Sequence, residues 1–187
     1  MLSAGAVLAG VAVVPALAAE TLPAARMVLV DRTLAAARPF ADQARLAGMI
    51  VILTDGDLTS LWMDHLEQLW RREPAALGGL TRPGALAFLQ LMARRNRMRL
   101  SMRNDHDLAS GRMLHRAAVP AALAEDARVW LGADWTGGSA RLMASCPAAA
   151  PALAINCASP AFHGPATDAG QTVSWLITPL TGEGTRA

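Results

Sequence analysis

Met49-Ile50-Val51-Ile52-Leu53-Thr54-Asp55-Gly56-Asp57, residues 49–57, passes from an unbroken aliphatic run straight into turn-forming polar residues. Five apolar residues in a row, rich in β-branched side chains and without polar alternation, have the pattern of a strand covered on both faces, as in a parallel sheet. Downstream, Leu58, Leu61, Trp62, His65, Leu66, Leu69 and Trp70 recur at steps of three and four, with Asp64, Glu67, Arg71 and Arg72 off that stripe. This spacing predicts an amphipathic helix with Asp57 as its N-cap and His65 among the core residues. Upstream the same unit appears: Met27 to Val30 ends at Asp31, Thr33 caps a helix through Ala47, and Gly48 stops it. Pro39 inside that helix predicts a kink or a late start.

The alternation continues. Ala75 to Leu80 reads as a third strand, and Thr81 caps a helix over Arg82 to Asn96 with Pro83 tolerated in its first turn. Arg97, Arg99, Ser101 and Arg103 then alternate with Met98, Leu100 and Met102, the period of a half-exposed strand near a sheet edge. Strand and helix in turn predict an α/β fold: one three-layer domain over residues 20–187, its sheet mainly parallel, Rossmann-like or flavodoxin-like, with right-handed crossovers. The last third is less regular. Val129-Trp130-Leu131 and Ala140 to Ala144 read as strands, and Gln171 to Thr178 as a strand joining the same sheet. Residues 145–170 are rich in Ala and Pro and read as an ordered loop.

Residues 2–19, LSAGAVLAGVAVVPALAA, carry no charge and end in small residues, with Ala16-Leu17-Ala18 as a cleavage pattern. This is the apolar region of an export signal rather than a membrane span, since Pro15 interrupts it. Its modest hydrophobicity resembles twin-arginine signals, which places the arginine pair upstream of Met1. The expected compartment is the periplasm, and an oxidising compartment makes a Cys146–Cys157 disulfide the default.

The whole chain has 187 residues, is 53% hydrophobic and 17% charged, and carries a net charge of +2. That excludes a disordered chain. All of its basic residues are arginine, and the stretch from Arg82 to Arg116 holds eight of them against Asp105 and Asp107. With Phe88 as the sole aromatic there, it lacks the stacking platform that nucleic-acid binding uses, so no nucleic-acid partner is expected. No G-x-G-x-x-G, P-loop or G-x-S-x-G is present, and no cofactor or metal is expected.

Ligands of open α/β sheets bind beyond the carboxyl ends of the strands. Those ends here carry Asp31, Thr54, Asp55, Thr81 and Asp105, which are the expected ligand-binding residues, with Asp57 and His106 beside them. The candidates for catalysis are Asp55, Asp57, Asp105 and His106. His106 and His115 read as members of a solvated loop around Gly111.

Val51 to Leu53 followed by Thr54-Asp55-Gly56-Asp57-Leu58-Thr59 resembles the first motif of haloacid-dehalogenase-type phosphohydrolases. The resemblance implies Asp55 as nucleophile, Asp57 as acid/base, Thr81 in the second motif and Mg2+ as counter-ion. The family's lysine has no counterpart in a chain without lysine. The segments DGDLTSLW (55–62), GGLTRPG (78–84) and VSWLITP (173–179) resemble a group of uncharacterised twin-arginine-exported proteobacterial α/β proteins, which implies no activity. The reading is therefore an exported periplasmic module that binds a small ligand or a periplasmic protein partner, with no membrane span after cleavage. The competing reading is a metal-assisted hydrolase of the phosphohydrolase kind.

Overall fold

The computed structural model describes residues 25–109, 112–146, 152–160 and 171–180. The leader at 1–19 lies outside these residues, as do 147–151 and 161–170 of the expected loop. Seven strands, β1 (Met27–Asp31), β2 (Ile50–Thr54), β3 (Leu77–Thr81), β4 (Met98–Ala109), β5 (Arg112–Pro120), β6 (Ala152–Pro160) and β7 (Thr172–Pro179), form one sheet. Their order is β2-β1-β3-β7-β4-β5-β6. The helices are α1 (Ala37–Leu46), a continuous α2 built from Thr59–Leu61, Trp62–Leu66 and Glu67–Arg72, α3 (Pro83–Arg95), α4 (Ala124–Ala133) and α5 (Trp135–Ser145). Pro39 is accommodated by the late start of α1, in whose first turn it falls.

β1 pairs in parallel with both β2 and β3, as the sequence led one to expect. The other four pairings, β3 with β7, β7 with β4, β4 with β5 and β5 with β6, are all antiparallel. The fold is α/β, but the sheet is not mainly parallel. Helical crossovers join only the first strands, whereas β4 and β5 are separated by two residues, and so short a connection forces an antiparallel hairpin.

β4 is an interior strand between β7 and β5, not an edge. Its alternation has another cause: Met102, Asn104 and His106 are buried on one face, while Arg103, Asp105 and Asp107 lie half-buried on the other. The runs at Val129 and Ala140 belong to α4 and α5, because apolar runs this short fit a buried helix as well as a strand. Ala152–Pro160, expected in a loop, is β6, held by nine regular pairs along β5. That ladder also undoes the expected disulfide. Cys157 is fixed opposite His115 in the middle of the edge strand β6 and Cys146 follows α5, and both are free thiols. Burial raises both thiol pKa values, Cys146 to about 11.

Helices cover both faces. Val28, Val30, Leu80 and Leu176 meet Phe40 of α1, Leu131 of α4 and Leu142 and Met143 of α5. Leu29, Leu77, Trp175 and Ile177 on the opposite face meet Trp62, Leu66 and Trp70 of α2 and Leu86 and Leu89 of α3. Leu58, Trp62, Leu66 and Trp70 are buried at every fourth position. In a regular α-helix each four-residue step overshoots a full turn by about 40°, so such a row would wind away from the sheet. The π-turn at Trp62–Leu66 unwinds the helix locally and keeps the four in line. It also carries His65 out to solvent, contrary to the core position expected for it. Among the described residues, no helix is long and apolar enough to cross a membrane.

Candidate functional site

The carboxyl ends of the parallel strands form a rim. Thr54 pairs with Asp31, and Asp31 and Thr81 directly follow the paired residues Val30 and Leu80. Thr81 and Asp105 both pair with Val173, one on each side of it. Four of the five expected ligand-binding residues, Thr54, Asp31, Thr81 and Asp105, therefore lie in one row across the sheet, and Asp55 follows Thr54.

Their side chains have separate partners. Asp31 is buried, and its Oδ1 accepts from the backbone N–H of Thr33 at 3.0 Å and the Thr33 hydroxyl at 2.6 Å. Its Oδ2 lies 3.8 Å from the Arg82 guanidinium. Thr33 thus braces Asp31 rather than capping α1, which begins at Ala37. Asp55 is exposed and lies 3.7 Å from Arg32, an ion pair worth little in water. Asp57 Oδ1 accepts from the Thr59 N–H at 2.8 Å, which starts α2 much as a cap does. That bond holds its carboxyl below the ordinary range, so Asp57 stays ionised in mild acid.

Thr81 is buried, and its hydroxyl accepts the Trp175 indole N–H at 3.0 Å, so it is not the cap of α3. Asp105 is taken up by a forked contact with Arg103 at 2.8 to 3.1 Å. Among the described residues no three of the His, Cys, Asp and Glu side chains group closely enough to hold a metal. Asp55, Asp57 and Asp105 do not converge as a metal-assisted hydrolase needs.

Beside the rim is a cleft of about 220 Å3 lined by Gly56, Asp57, Leu58, Thr59, Gly84, Ala85 and Phe88, and by none of the five expected ligand-binding residues. The loop after β2 forms one wall and the first turn of α3 the other. No side chain caps α3, so backbone N–H groups of its first turn are left for water or a ligand. Phe88 meets Trp62 edge-on at 6.2 Å, which ties this wall to the core of α2. Gly56 shapes the loop. Its φ of +98° suits glycine, and a Cβ there would lie 3.4 Å from Asp31 Oδ2. Gly56→Ala should cost about 1–2 kcal/mol of stability in urea unfolding. An unchanged midpoint would contradict this loop geometry.

A second polar cluster lies beneath α5, on the face of the antiparallel half. His106 Nδ1 and His115 Nδ1 are 2.7 Å apart. His106 Nε2 lies 2.8 Å from Ser174 Oγ, and His115 Nε2 lies 3.0 Å from Ser159 Oγ. Asn104 Nδ2 donates to Ser174 Oγ at 3.0 Å, and Ser174 donates to Ser139 of α5 at 3.1 Å. Trp135 lies against His106, with ring centres 4.4 Å apart.

Burial holds both imidazoles neutral. It drives His106 well below its ordinary pKa, helped by the neighbouring His115, and it lowers His115 to about 4. Hydrogen counting then assigns each link. With Ser174 donating to Ser139, His106 Nε2–H donates to Ser174 and His115 Nδ1–H donates to His106. The Ser159 hydroxyl donates to His115 Nε2. No member is more than 4% exposed, so the chain fastens four strands and a helix rather than meeting a substrate.

Of the candidates for catalysis, His106 therefore belongs to this buried chain and not to a solvated loop. Sequence reasoning missed the contributions of His115, Ser139, Ser159 and Ser174. One signal for the two histidines is legible: Ser-Gly at 110–111 is a turn-favouring dipeptide in the sequence, and pairing 109 with 112 across it sets 106 opposite 115, the register observed. No family profile, no curated protein and no solved structure matches the chain.

Proposed function

We propose that the protein is an exported, periplasmic small-ligand-binding module whose site is the cleft between the Gly56–Thr59 loop and the start of α3. The cleft itself carries the reading: it is concave, borders the strand-end rim, and offers different chemistry on its two walls. Asp57 and Thr59 present an ionised carboxylate and a hydroxyl. The α3 end presents backbone donors, and Phe88 presents an apolar surface. The complementary ligand is a small molecule with a hydrogen-bond donor at one end, an acceptor or anionic group at the other, and an apolar body between.

Gly84 supplies a clean test. A Cβ placed on it meets nothing within 4 Å, and the residue lines the cleft. Gly84→Phe should fill the cleft while the fold keeps its melting temperature to within a few degrees. A thermal-shift and calorimetric screen of amino acids, sugars and small carboxylates on the wild-type protein should yield a ligand, and that ligand should lose all measurable affinity for Gly84→Phe. Asp57→Asn should weaken it about tenfold or more. A ligand bound equally well by Gly84→Phe would move the site elsewhere.

A further inference from the structure

The edge strand β2 carries the sequence of an interior strand. Its five residues, Ile50 to Thr54, contain no charge and no proline, and pair with β1 without a bulge. Natural sheets protect an open edge with charges, prolines or bulges, because its unpaired N–H and C=O groups template further pairing. Here none of these is present. Ile50 and Leu53 are 65% and 54% exposed, and Leu46, at the end of α1 just before the strand, is 80% exposed. All three are large aliphatic side chains left mostly in solvent, the kind of surface that interfaces cover.

We propose that β2 is the interface of a two-fold homodimer, in which it pairs antiparallel with β2 of a second copy and joins the two sheets. The occupant follows from the arrangement of the apolar side chains. Leu53 shares the face of Val51, which packs into the core beneath α1, and Ile50 shares the face of Ile52, which packs into the α2 side. The edge is thus aliphatic on both faces of the sheet at once. A partner that covers it must supply a strand that is also aliphatic on both faces, and β2 is such a strand. A two-fold axis normal to the sheet keeps each face on its own side, so Leu53 and Leu46 meet the second copy's α1 face while Ile50 and Ile52 meet its α2 face.

Charge permits the match. β2 brings no like charges across the axis, and the nearest flanking charges are already paired within the chain, Arg45 with Asp42 and Arg32 with Asp55. The other edge, β6, is also uncharged between Ala152 and Pro160, but its side chains are mainly small. It offers less apolar area for association.

Sedimentation equilibrium of the full chain tests this. The wild-type protein should show a reversible monomer–dimer equilibrium. The double variant Ile50→Lys, Leu53→Lys, altered at positions exposed in the monomer, should keep its far-UV dichroism and weaken the dimer by about a hundredfold or more. Asn156→Lys on the β6 edge should leave the dimer intact. Hydrogen exchange of the wild-type protein adds a readout that needs no variant: the amides of Val51 and Leu53, which face away from β1 because Ile50 and Thr54 bond towards it, should gain protection as concentration rises. A wild-type monomer at about 100 μM, a dimer that survives the double lysine variant, loss of the dimer in Asn156→Lys, or concentration-independent exchange in β2 would each overturn the proposal.

Discussion

Acidification from pH 6.5 to about 4 is expected to remove on the order of 3 kcal/mol of stability, through the buried His106–His115 pair. In the folded state burial lowers the pKa of both rings, that of His115 to about 4, whereas in the unfolded chain each titrates near 6.5. Between those values the unfolded chain binds more protons than the folded one. Protonation there favours unfolding, so this contribution is fully present above pH 6.5 and is lost as the pH falls.

The geometry accounts for the direction. Each added proton places a charge on a buried ring, and on His106 it would also set two N–H groups against each other across the 2.7 Å Nδ1–Nδ1 contact. His115 alone supplies about 3 kcal/mol, and His106 adds to it with the same sign. That is a large part of the 5–15 kcal/mol typical of a domain. The lowered pKa of Asp57 acts in the same direction, but its window lies below 3.8 and does not overlap the upper part of this one.

Urea unfolding at pH 7.5, 6.0, 5.0 and 4.5 should show the decline. In His115→Gln the protein should start less stable by about 2–3 kcal/mol and show a shallower dependence on pH over the same range. A wild-type stability flat from pH 7.5 to 4.5, or a slope unchanged in His115→Gln, would remove the neutral pair from the account.

Replacing Gly79 with alanine should cost about 3 kcal/mol or more. Gly79 sits in the middle of β3, with β1 on one side and β7 on the other. A Cβ there would lie 2.5 Å from Trp175 Cζ2 and 2.8 Å from the Leu29 carbonyl oxygen. The first contact is with a rigid, fully buried indole whose N–H is held by Thr81, and the second is with paired backbone. Neither can yield cheaply. Moving Trp175 breaks its hydrogen bond and leaves Thr81 short of a buried partner.

The same Gly→Ala change therefore has three sizes. It is severe at Gly79, moderate at Gly56, where the backbone is left-handed, and neutral or slightly stabilising at Gly84, where the methyl meets nothing. Denaturant midpoints of the three variants should fall in that order, with Gly79→Ala lowest. A Gly79→Ala protein within about 1 kcal/mol of wild type would mean that Trp175 does not lie over this glycine.

The sequence by itself determined the parallel half of the molecule. β1, α1, β2, α2, β3 and α3 are each announced by local features: apolar runs that stop at polar residues, periodic helix faces, and prolines in first turns. The rim was legible for the same reason, since the residue that ends a strand is named by the strand. Asp31, Thr54 and Thr81 stand where their strands stop, although only the structure showed that all three are buried and that Thr81 holds the Trp175 indole instead of capping α3. The cleft wall formed by Gly84 and Phe88 was not legible, because nothing local to α3 says which loop will face it.

The tertiary structure alone decided the rest. Whether Met98 to Ala109 lies at an edge or in the interior depends on β7, which arrives some seventy residues later. Whether Ala152 to Pro160 is loop or strand depends on β5 presenting a ladder for it. The histidine–serine chain draws its members from β4, β5, β6, β7 and α5. A helix carries its own hydrogen bonds and declares itself in its residue spacing. A strand is completed by a partner that its own residues do not specify, so in the antiparallel half the long-range pairing decided the fold, the free cysteines and the neutral state of the two histidines.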